Sequence, residues 1–91
     1  MSPASSPPVW ELFHAIAHPP SARARRYVTD NALEDRIEFR NVGFESHAQA
    51  LRERGGSGES LPALWDGRDL YEGAEAVIAR LQTLVNLGRE G

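Results

Sequence analysis

The sequence predicts an α/β domain in which a four-stranded mixed sheet is flanked by three helices, in the order βαβ and then ββα. In the first half of the chain, apolar stretches with the period of a strand alternate with stretches of helical period. In the second half, an Asp66-Gly67 turn between two apolar runs indicates a hairpin, and a long amphipathic helix follows it.

Length and composition indicate one domain. The chain has 91 residues, a length close to the lower limit at which one hydrophobic core can stabilise a domain without cross-links. We expect residues 1–8 (Met, Ser, Pro and Ala) to be a flexible lead-in, residues 9–87 to form the domain and residues 88–91 to form a tail. The net charge of −3 gives no basic surplus, so nucleic acid is not an expected partner.

The same composition excludes several classes of chemistry. The chain has no cysteine, so it supplies no disulfide, no thiolate zinc ligand and no attacking thiol for thiol–disulfide exchange. No apolar run approaches the roughly 18 residues of a membrane span, and the first residues lack a signal-peptide pattern. We therefore expect a cytoplasmic location and no membrane partner, while the oligomeric state stays open.

The first strand is expected over residues 9–16. Apolar residues on both of its faces are typical of a strand in the middle of a sheet, with helices on either side. Pro19 and Pro20 stop this strand and suit the first turn of a helix, where a missing N–H is no loss. That helix should run to Asn31 with three residues turned inward: Ala24, Tyr27 and Val28.

A second strand and a second helix should follow. Residues 37–42 alternate as a strand, and a strand–helix–strand connection is a right-handed crossover, so the first two strands should be parallel. Residues 46–54 predict a short helix that ends at Gly55-Gly56. The glycine-rich loop that follows leads to Pro62.

The last part of the chain should form a hairpin and a helix. Residues 62–65 lead into the turn at Asp66-Gly67, and Leu70-Tyr71 supplies the returning strand. From Ala74 the apolar residues fall on one stripe of a helix: Ala74, Val77, Ile78, Leu81, Leu84 and Val85.

This last part carries a family resemblance. The run Leu61-Pro62-Ala63-Leu64-Trp65-Asp66-Gly67, then Leu70-Tyr71-Glu72 and the helix over residues 74–81, resembles the second half of a glutathione S-transferase N-terminal domain. The related glutaredoxins share the same thioredoxin-like (glutaredoxin-like) fold. The resemblance implies that fold for this chain. It also implies a cis peptide bond before Pro62 and a thiol-binding site beside its loop.

The resemblance further implies which residues border a ligand. His18 holds the position of the family's nucleophile, Ser21 holds that of the second cysteine, and the proline after the nucleophile is retained as Pro19. Leu61 and Pro62 form the loop beside them. A helix N-terminus at His18 favours a bound thiolate, to which Ser21 or His18 could donate a hydrogen bond.

The pair Glu72-Gly73 stands where the transferases usually have an acidic residue and a serine that hold the γ-glutamyl end of glutathione. Glu72 matches that pattern, and Gly73 keeps a backbone N–H for a carboxylate. Simpler roles stay open. Ser21 can bond a first-turn backbone group, His18 can occupy the N-cap, and Glu72 can cap its helix with Glu75 in a capping box.

Other groups of candidate site residues give less specific indications of function. The prolines prevent His14 and His18 from sharing one helix, and His47 lies in another element, so we expect no metal site. Three arginines of the first predicted helix can meet an anion or form a solvated face, which is the simpler interpretation: Arg23, Arg25 and Arg26.

Three functions are compatible with these features. The first is a redox-inactive binding module that takes glutathione, or an extended segment of a partner protein, against Leu61 and Pro62. The second is a glutathione-dependent transferase in which Ser21 or His18 holds the thiolate. The third is a purely structural interaction domain. We favour the first, without a catalytic residue and with glutathione as the one candidate cofactor, because the families' reactive cysteine is missing.

Overall fold

The computed structural model describes the backbone of residues 9–90 and the side chains of residues 9–87, so the predicted lead-in at residues 1–8 lies outside the described part. The elements are, in chain order, β1 (Trp10–His14), α1 (Pro19–Asp30), β2 (Ile37–Asn41), α2 (Glu45–Glu53), β3 (Ala63–Trp65), β4 (Leu70–Glu72) and α3 (Ala74–Glu90). They form a four-stranded mixed sheet, in the order β2-β1-β3-β4, with three helices. The predicted α/β class is confirmed.

The directions of the strands follow from their connections. β1 and β2 are parallel, as the crossover through α1 requires, and β3 is antiparallel to both β1 and β4. β1 is therefore a central strand, and its two faces are both covered. Leu12 packs with α1 and α3 on one face, and Phe13 packs with Leu51 of α2 on the other. Each of these fully buried side chains contributes about 1.5–3 kcal/mol to stability.

β1 is shorter than the sequence predicts. It ends at His14, and Ile16, which was expected to be the last residue of the strand, lies outside it and is 59% exposed. The reason lies at Ala15, whose N–H donates to Ser21 Oγ (3.2 Å) and whose carbonyl accepts from Arg25 Nη1 (2.9 Å). Because both backbone groups of Ala15 are bonded to side chains of α1, that residue cannot continue the ladder.

The predicted hairpin is present with a longer loop. Trp65 pairs with Leu70, so residues 66–69 form the connection. Asp66 organises it, because Asp66 Oδ1 accepts the N–H groups of Arg68 (2.9 Å) and Asp69 (2.7 Å). Burial alone raises the pKa of Asp66, but these two hydrogen bonds and an ion pair with Arg80 together lower it.

Arg80 fastens α3 to the sheet. Its Nη2 lies 3.1 Å from Asp66 Oδ2, and its guanidinium lies 4.8 Å from the centre of the Trp10 ring and 5.6 Å from that of Tyr71. A cation that is shared between two aromatic faces and a buried carboxylate fixes the rotation of the helix about its axis.

The opposite face of the sheet has its own ion pairs. The Glu11 side chain is 13% exposed and lies within 3.2 Å of Arg40 and 2.8 Å of Arg54. Arg40 Nη2 and Arg54 Nη2 both donate to Glu11 Oε2, at 3.2 Å and 3.3 Å. Arg54 also lies over the Trp65 ring, which holds the end of α2 against the sheet.

The apolar stripe of α3 is turned inward as predicted, with Val77 and Leu81 fully buried. The helix continues to Glu90, so the predicted tail at residues 88–91 is wrong up to that residue. The domain boundary expected at Leu87 lies two residues beyond Val85, the last residue of the apolar stripe, and a helix needs no further apolar residue to continue. A helical glycine at Gly88 costs only about 1 kcal/mol. None of the described helices has the length and apolar character needed to cross a membrane.

His14 is a buried polar residue at the end of β1, only 5% exposed. Burial lowers its pKa from the ordinary value of 6.5, and the nearby charges of Arg25 and His47 lower it further. The folded protein therefore keeps this ring neutral in a pH range where the unfolded chain takes up a proton.

We predict a loss of stability in mild acid that depends on His14. As the pH falls below 6.5, the free energy of unfolding should decrease by up to about 1.4 kcal/mol per pH unit, until the lowered folded-state pKa is reached. Urea unfolding at a series of pH values measures this slope. His14→Gln should remove it, whereas His18→Gln, at a half-buried position, should keep it. Equal slopes in the wild type and in His14→Gln would contradict the assignment.

Candidate functional site

A groove of about 560 Å³ opens between the start of α1, the loop before β3 and the start of α3. Of the predicted ligand-binding residues, Leu61, Glu72 and Gly73 line it. The other three, His18, Ser21 and Pro62, do not line it. The complete lining is Pro20, Arg23, Ser60, Leu61, Glu72, Gly73, Ala74, Glu75 and Ala76.

The loop before β3 forms the floor of this groove. The Leu61-Pro62 peptide bond is cis, the isomer that the resemblance implies, and the Pro62 side chain is fully buried. The Pro62 carbonyl accepts the N–H of Gly73 at 2.8 Å. The N–H of Gly73 is therefore used inside the protein, and the expectation that it contacts a ligand carboxylate is wrong. Gly73 has a φ of +95°, a conformation that favours glycine over serine.

Leu61 has a backbone that is free for pairing. The β1–β3 register pairs Phe13 with Ala63, and its continuation would pair Ala15 with Leu61. Ala15 instead bonds to Ser21 and Arg25, as described above. Within the described residues neither the N–H nor the carbonyl of Leu61 has a hydrogen-bond partner. The N–H and the carbonyl of Leu61 are thus one free donor and one free acceptor at this edge of the groove, next to the end of the β1–β3 ladder.

His18 and Ser21 form a closed pair at the start of α1. His18 is the N-cap, and its Nδ1 accepts the N–H of Ser21 (3.3 Å) and lies 2.8 Å from Ser21 Oγ. Because His18 Nδ1 is an acceptor and carries no proton, the Ser21 hydroxyl donates to it, and Ser21 Oγ also accepts the N–H of Ala15. Of the simpler roles considered from the sequence, the structure has the N-cap role of His18, whereas Ser21 Oγ bonds to the backbone of Ala15, before the helix, and not to a backbone group of the first turn.

This pair decides which group can meet a ligand. The Ser21 side chain is fully buried and its proton is used, so in this arrangement it does not reach a bound thiolate. His18 is half-buried, and because its Nδ1 is an acceptor, the neutral ring carries its proton on Nε2. No described residue bonds to that Nε2. Of the two, His18 is the side chain able to donate outward.

The charges of the groove are mixed. Arg23 is exposed and makes no ion pair with the described residues, and Glu75 is exposed in the first turn of α3. Glu72 accepts the N–H of Ser57 at 3.4 Å, so it bonds to the glycine-rich loop rather than capping α3. The first helical bond of α3 runs from Val77 N–H to Gly73, which leaves the N–H groups of residues 74–76 at the groove.

The three arginines of α1 separate in the structure. Arg23 lines the groove, while Arg25 points to the other side of the helix and bonds to His14. The sequence held a signal for this, because residues two apart on a helix lie about 200° apart around its axis. The solvated face favoured from the sequence fits the exposed Arg23 and Arg26, but it does not fit Arg25, which bonds to His14 and to the Ala15 carbonyl.

Comparison of the chain with family models, with curated proteins and with solved structures finds no match.

We predict that His18→Cys creates an acidified thiol. The new side chain would stand at the N-cap of a twelve-residue helix, within reach of the N–H and hydroxyl of Ser21. These donors and the helix dipole stabilise a thiolate, so its pKa should lie below the free value of about 8.5. Ultraviolet absorbance at the thiolate band against pH measures it. Ala79→Cys, on an exposed position within α3, is the control and should titrate near the free value. Identical pKa values in the two variants would contradict the arrangement at His18.

Proposed function

We propose that this chain is a redox-inactive binding module of the thioredoxin-like class, whose groove binds an extended, peptide-like ligand. Reduced glutathione is the leading candidate. A mixed sheet with βαβ and ββα order supports the class, as does the resemblance of residues 61–81. We propose that the ligand is bound and that the chain catalyses no reaction on it.

The unpaired backbone of Leu61 carries this proposal. A ligand backbone in extended conformation can bond to its N–H and carbonyl, and so take the place that Ala15 leaves open. Each such hydrogen bond contributes about 0.5–1.5 kcal/mol. Two of them give weak binding by themselves, so the remaining affinity has to come from the ends of the ligand.

The charges around Leu61 suit a ligand with ends of opposite sign. Arg23 can pair with a carboxylate, and the N–H groups of residues 74–76 add partial positive charge at the same groove. Glu72 and Glu75 can pair with an ammonium group. Glutathione carries one ammonium and two carboxylates on an extended peptide backbone, so it matches this set of groups.

The lack of a thiol favours binding over chemistry. The chain has no cysteine to attack a disulfide, and the proton of Ser21 is used in the pair with His18. A bound glutathione would keep its sulfur unreacted unless a second reactant were supplied. The transferase alternative would therefore depend on His18 alone as the donor to a thiolate.

We predict that reduced glutathione at millimolar concentration shifts backbone amide signals of the groove in an NMR titration. The shifts should be confined to Arg23, Leu61 and residues 72–76. Arg23→Gln should weaken the binding about tenfold, the typical effect of losing one charge-assisted hydrogen bond. Arg26→Gln, an exposed arginine on the same helix, should leave it unchanged.

Tri-alanine separates the backbone contribution from that of the charged ends. Shifts at Leu61 with both ligands indicate general peptide binding, and shifts with glutathione alone indicate selection by the ends. No shift at Leu61 with either ligand would refute the proposed groove function.

A further inference from the structure

The strand β2 stands at one end of the sheet, so one of its edges has no neighbouring strand among the described residues. Trp10 N–H donates to the Arg36 carbonyl, and Val42 N–H donates to the His14 carbonyl, both at 2.9 Å. Because successive strand residues turn their backbone groups to opposite sides, the even-numbered residues of 36–42 face β1. The residues of β2 whose backbone groups face outward are therefore Ile37, Phe39 and Asn41.

Most of these outward groups are unused. Within the described residues, the N–H and the carbonyl of both Ile37 and Phe39 lack a hydrogen-bond partner on the outer side. The Asn41 carbonyl is used, since it accepts the Phe44 N–H (3.1 Å) and lies 3.1 Å from His47 Nδ1, but the Asn41 N–H is free. An edge with unpaired donors and acceptors is a template for another strand.

The side chains of β2 are complementary to those of an antiparallel copy of the same strand. If that copy is centred on Phe39, Phe39 lies opposite itself and Glu38 lies opposite Arg40. By two-fold symmetry Arg40 also lies opposite Glu38, so one dimer contains two pairs of opposite charge. A parallel copy in register would instead place like charges opposite each other. The charge pattern of β2 therefore favours antiparallel self-pairing.

The backbone groups have the phase that this pairing needs. Opposite residues of an antiparallel ladder alternate between hydrogen-bonded pairs and closer pairs without such bonds. Phe39 turns both of its groups outward, so it can exchange two hydrogen bonds with Phe39 of the second copy. Asn41 N–H can donate to the Ile37 carbonyl of the second copy, again twice by symmetry. Glu38 and Arg40 then form the closer pairs, in which opposite side chains approach each other best.

The two central side chains of this edge are accessible. Phe39 is 40% exposed, because its ring packs edge-on against the His14 ring, at 5.6 Å between ring centres, and leaves the outer side uncovered. The Glu38 side chain is 52% exposed, and its one ion pair among the described residues is with Arg40, at 3.4 Å. Both side chains can therefore meet a second copy without a change in the fold.

The opposite edge of the sheet, at β4, lacks these features. The strand has three residues, and antiparallel self-pairing about Tyr71 would place Leu70 opposite Glu72, without a complementary charge. The Gly73 N–H bonds to the Pro62 carbonyl, so Tyr71, two residues earlier, also turns its backbone groups to β3. The centre of such a pair would have no free backbone group.

We propose that β2 pairs with β2 of a second copy of this chain, antiparallel and centred on Phe39, to form one eight-stranded sheet across a two-fold axis. The two Phe39 rings pack together on the face of the sheet that carries α1, and the pairs of Glu38 with Arg40 lie on the face that carries α2. Stable interfaces bury about 1,200–2,000 Å² in total, and one pair of short strands offers less. The dimer should therefore form between micromolar and millimolar chain concentrations.

The first experiment measures and locates the association of the full chain. Sedimentation velocity across that concentration range should show a shift from monomer to dimer. Amide hydrogen exchange should slow at Phe39 and Asn41 as the fraction of dimer rises, because their N–H groups become bonded. Glu38 and Arg40 are the internal control, since their N–H groups bond to β1 in the monomer and should be protected at both ends of the range.

Variants then test the two kinds of side-chain contact. Glu38→Arg places like charges opposite each other twice in one dimer, so the dissociation constant should rise about tenfold or more. Glu59→Arg, at an exposed position in the loop before β3, changes the net charge equally and should alter the constant less than about twofold. Phe39→Thr, which keeps a strand-forming residue without the ring, should raise it about threefold or more. If Glu38→Arg proves unfolded, Glu38→Gln replaces it, with an expected rise of about threefold.

Any one of three results would overturn the proposal. The first is a monomer at every concentration up to millimolar. The second is a dimer that forms equally well in the wild type and in the folded Glu38 variant, which would place the contact on another surface. The third is a dimer in which Phe39 and Asn41 exchange as fast as in the monomer. None of these results depends on whether glutathione binds, because the groove lies on the other side of β1.

Discussion

The arrangement at the end of β1 depends on how α1 holds Ala15. Ser21 Oγ accepts the N–H of Ala15 and Arg25 donates to its carbonyl, so both groups are bonded to one helix instead of to a neighbouring strand. A buried backbone group must find a partner, and side chains of α1 supply it here. The ladder between β1 and β3 stops at Phe13 and Ala63 for this reason. The same contact positions the start of α1 against the sheet.

Two neighbouring surfaces follow from that contact. On the β3 side, Leu61 is left without its partner and borders the groove that we propose for glutathione or a peptide. On the β2 side, Arg25 also bonds to His14, which fixes the proton of that ring on Nε2. Arg25 thus bonds both to the backbone of Ala15 and to the ring of His14. Its substitution should therefore disturb the end of β1 on both sides, while Arg23 lines the groove and makes no such contact.

Periodicity predicted the elements that depend on burial. The stripe of α3 from Ala74 to Val85 and the apolar faces of β1 are visible in the sequence because burial repeats at fixed intervals. The ends of elements were less predictable. β1 was expected to reach Ile16 but ends at His14, and the domain was expected to end at Leu87 although α3 continues to Glu90. What ends β1 is a pair of hydrogen bonds from α1, which no local pattern in the sequence shows.

The contacts within the candidate site were also not predictable from local sequence patterns. The resemblance brought attention to Leu61, Glu72 and Gly73, which do share one groove. It could not reveal that the N–H of Gly73 is bonded to Pro62, or that Ser21 is fully buried. Those facts depend on how distant elements meet. His14 and His47 are 33 positions apart in the sequence, and His47 comes to lie beside Asn41, the ladder partner of His14, only because β1 pairs with β2.

Amide hydrogen exchange at single-residue resolution tests the central contact most directly. The account predicts strong protection of the N–H of Ala15, which Ser21 holds, and of Gly73, which Pro62 holds. It predicts exchange of the Leu61 N–H at a rate close to that of an unstructured peptide. Protection of Leu61 comparable to that of Gly73, or rapid exchange at Ala15, would contradict it.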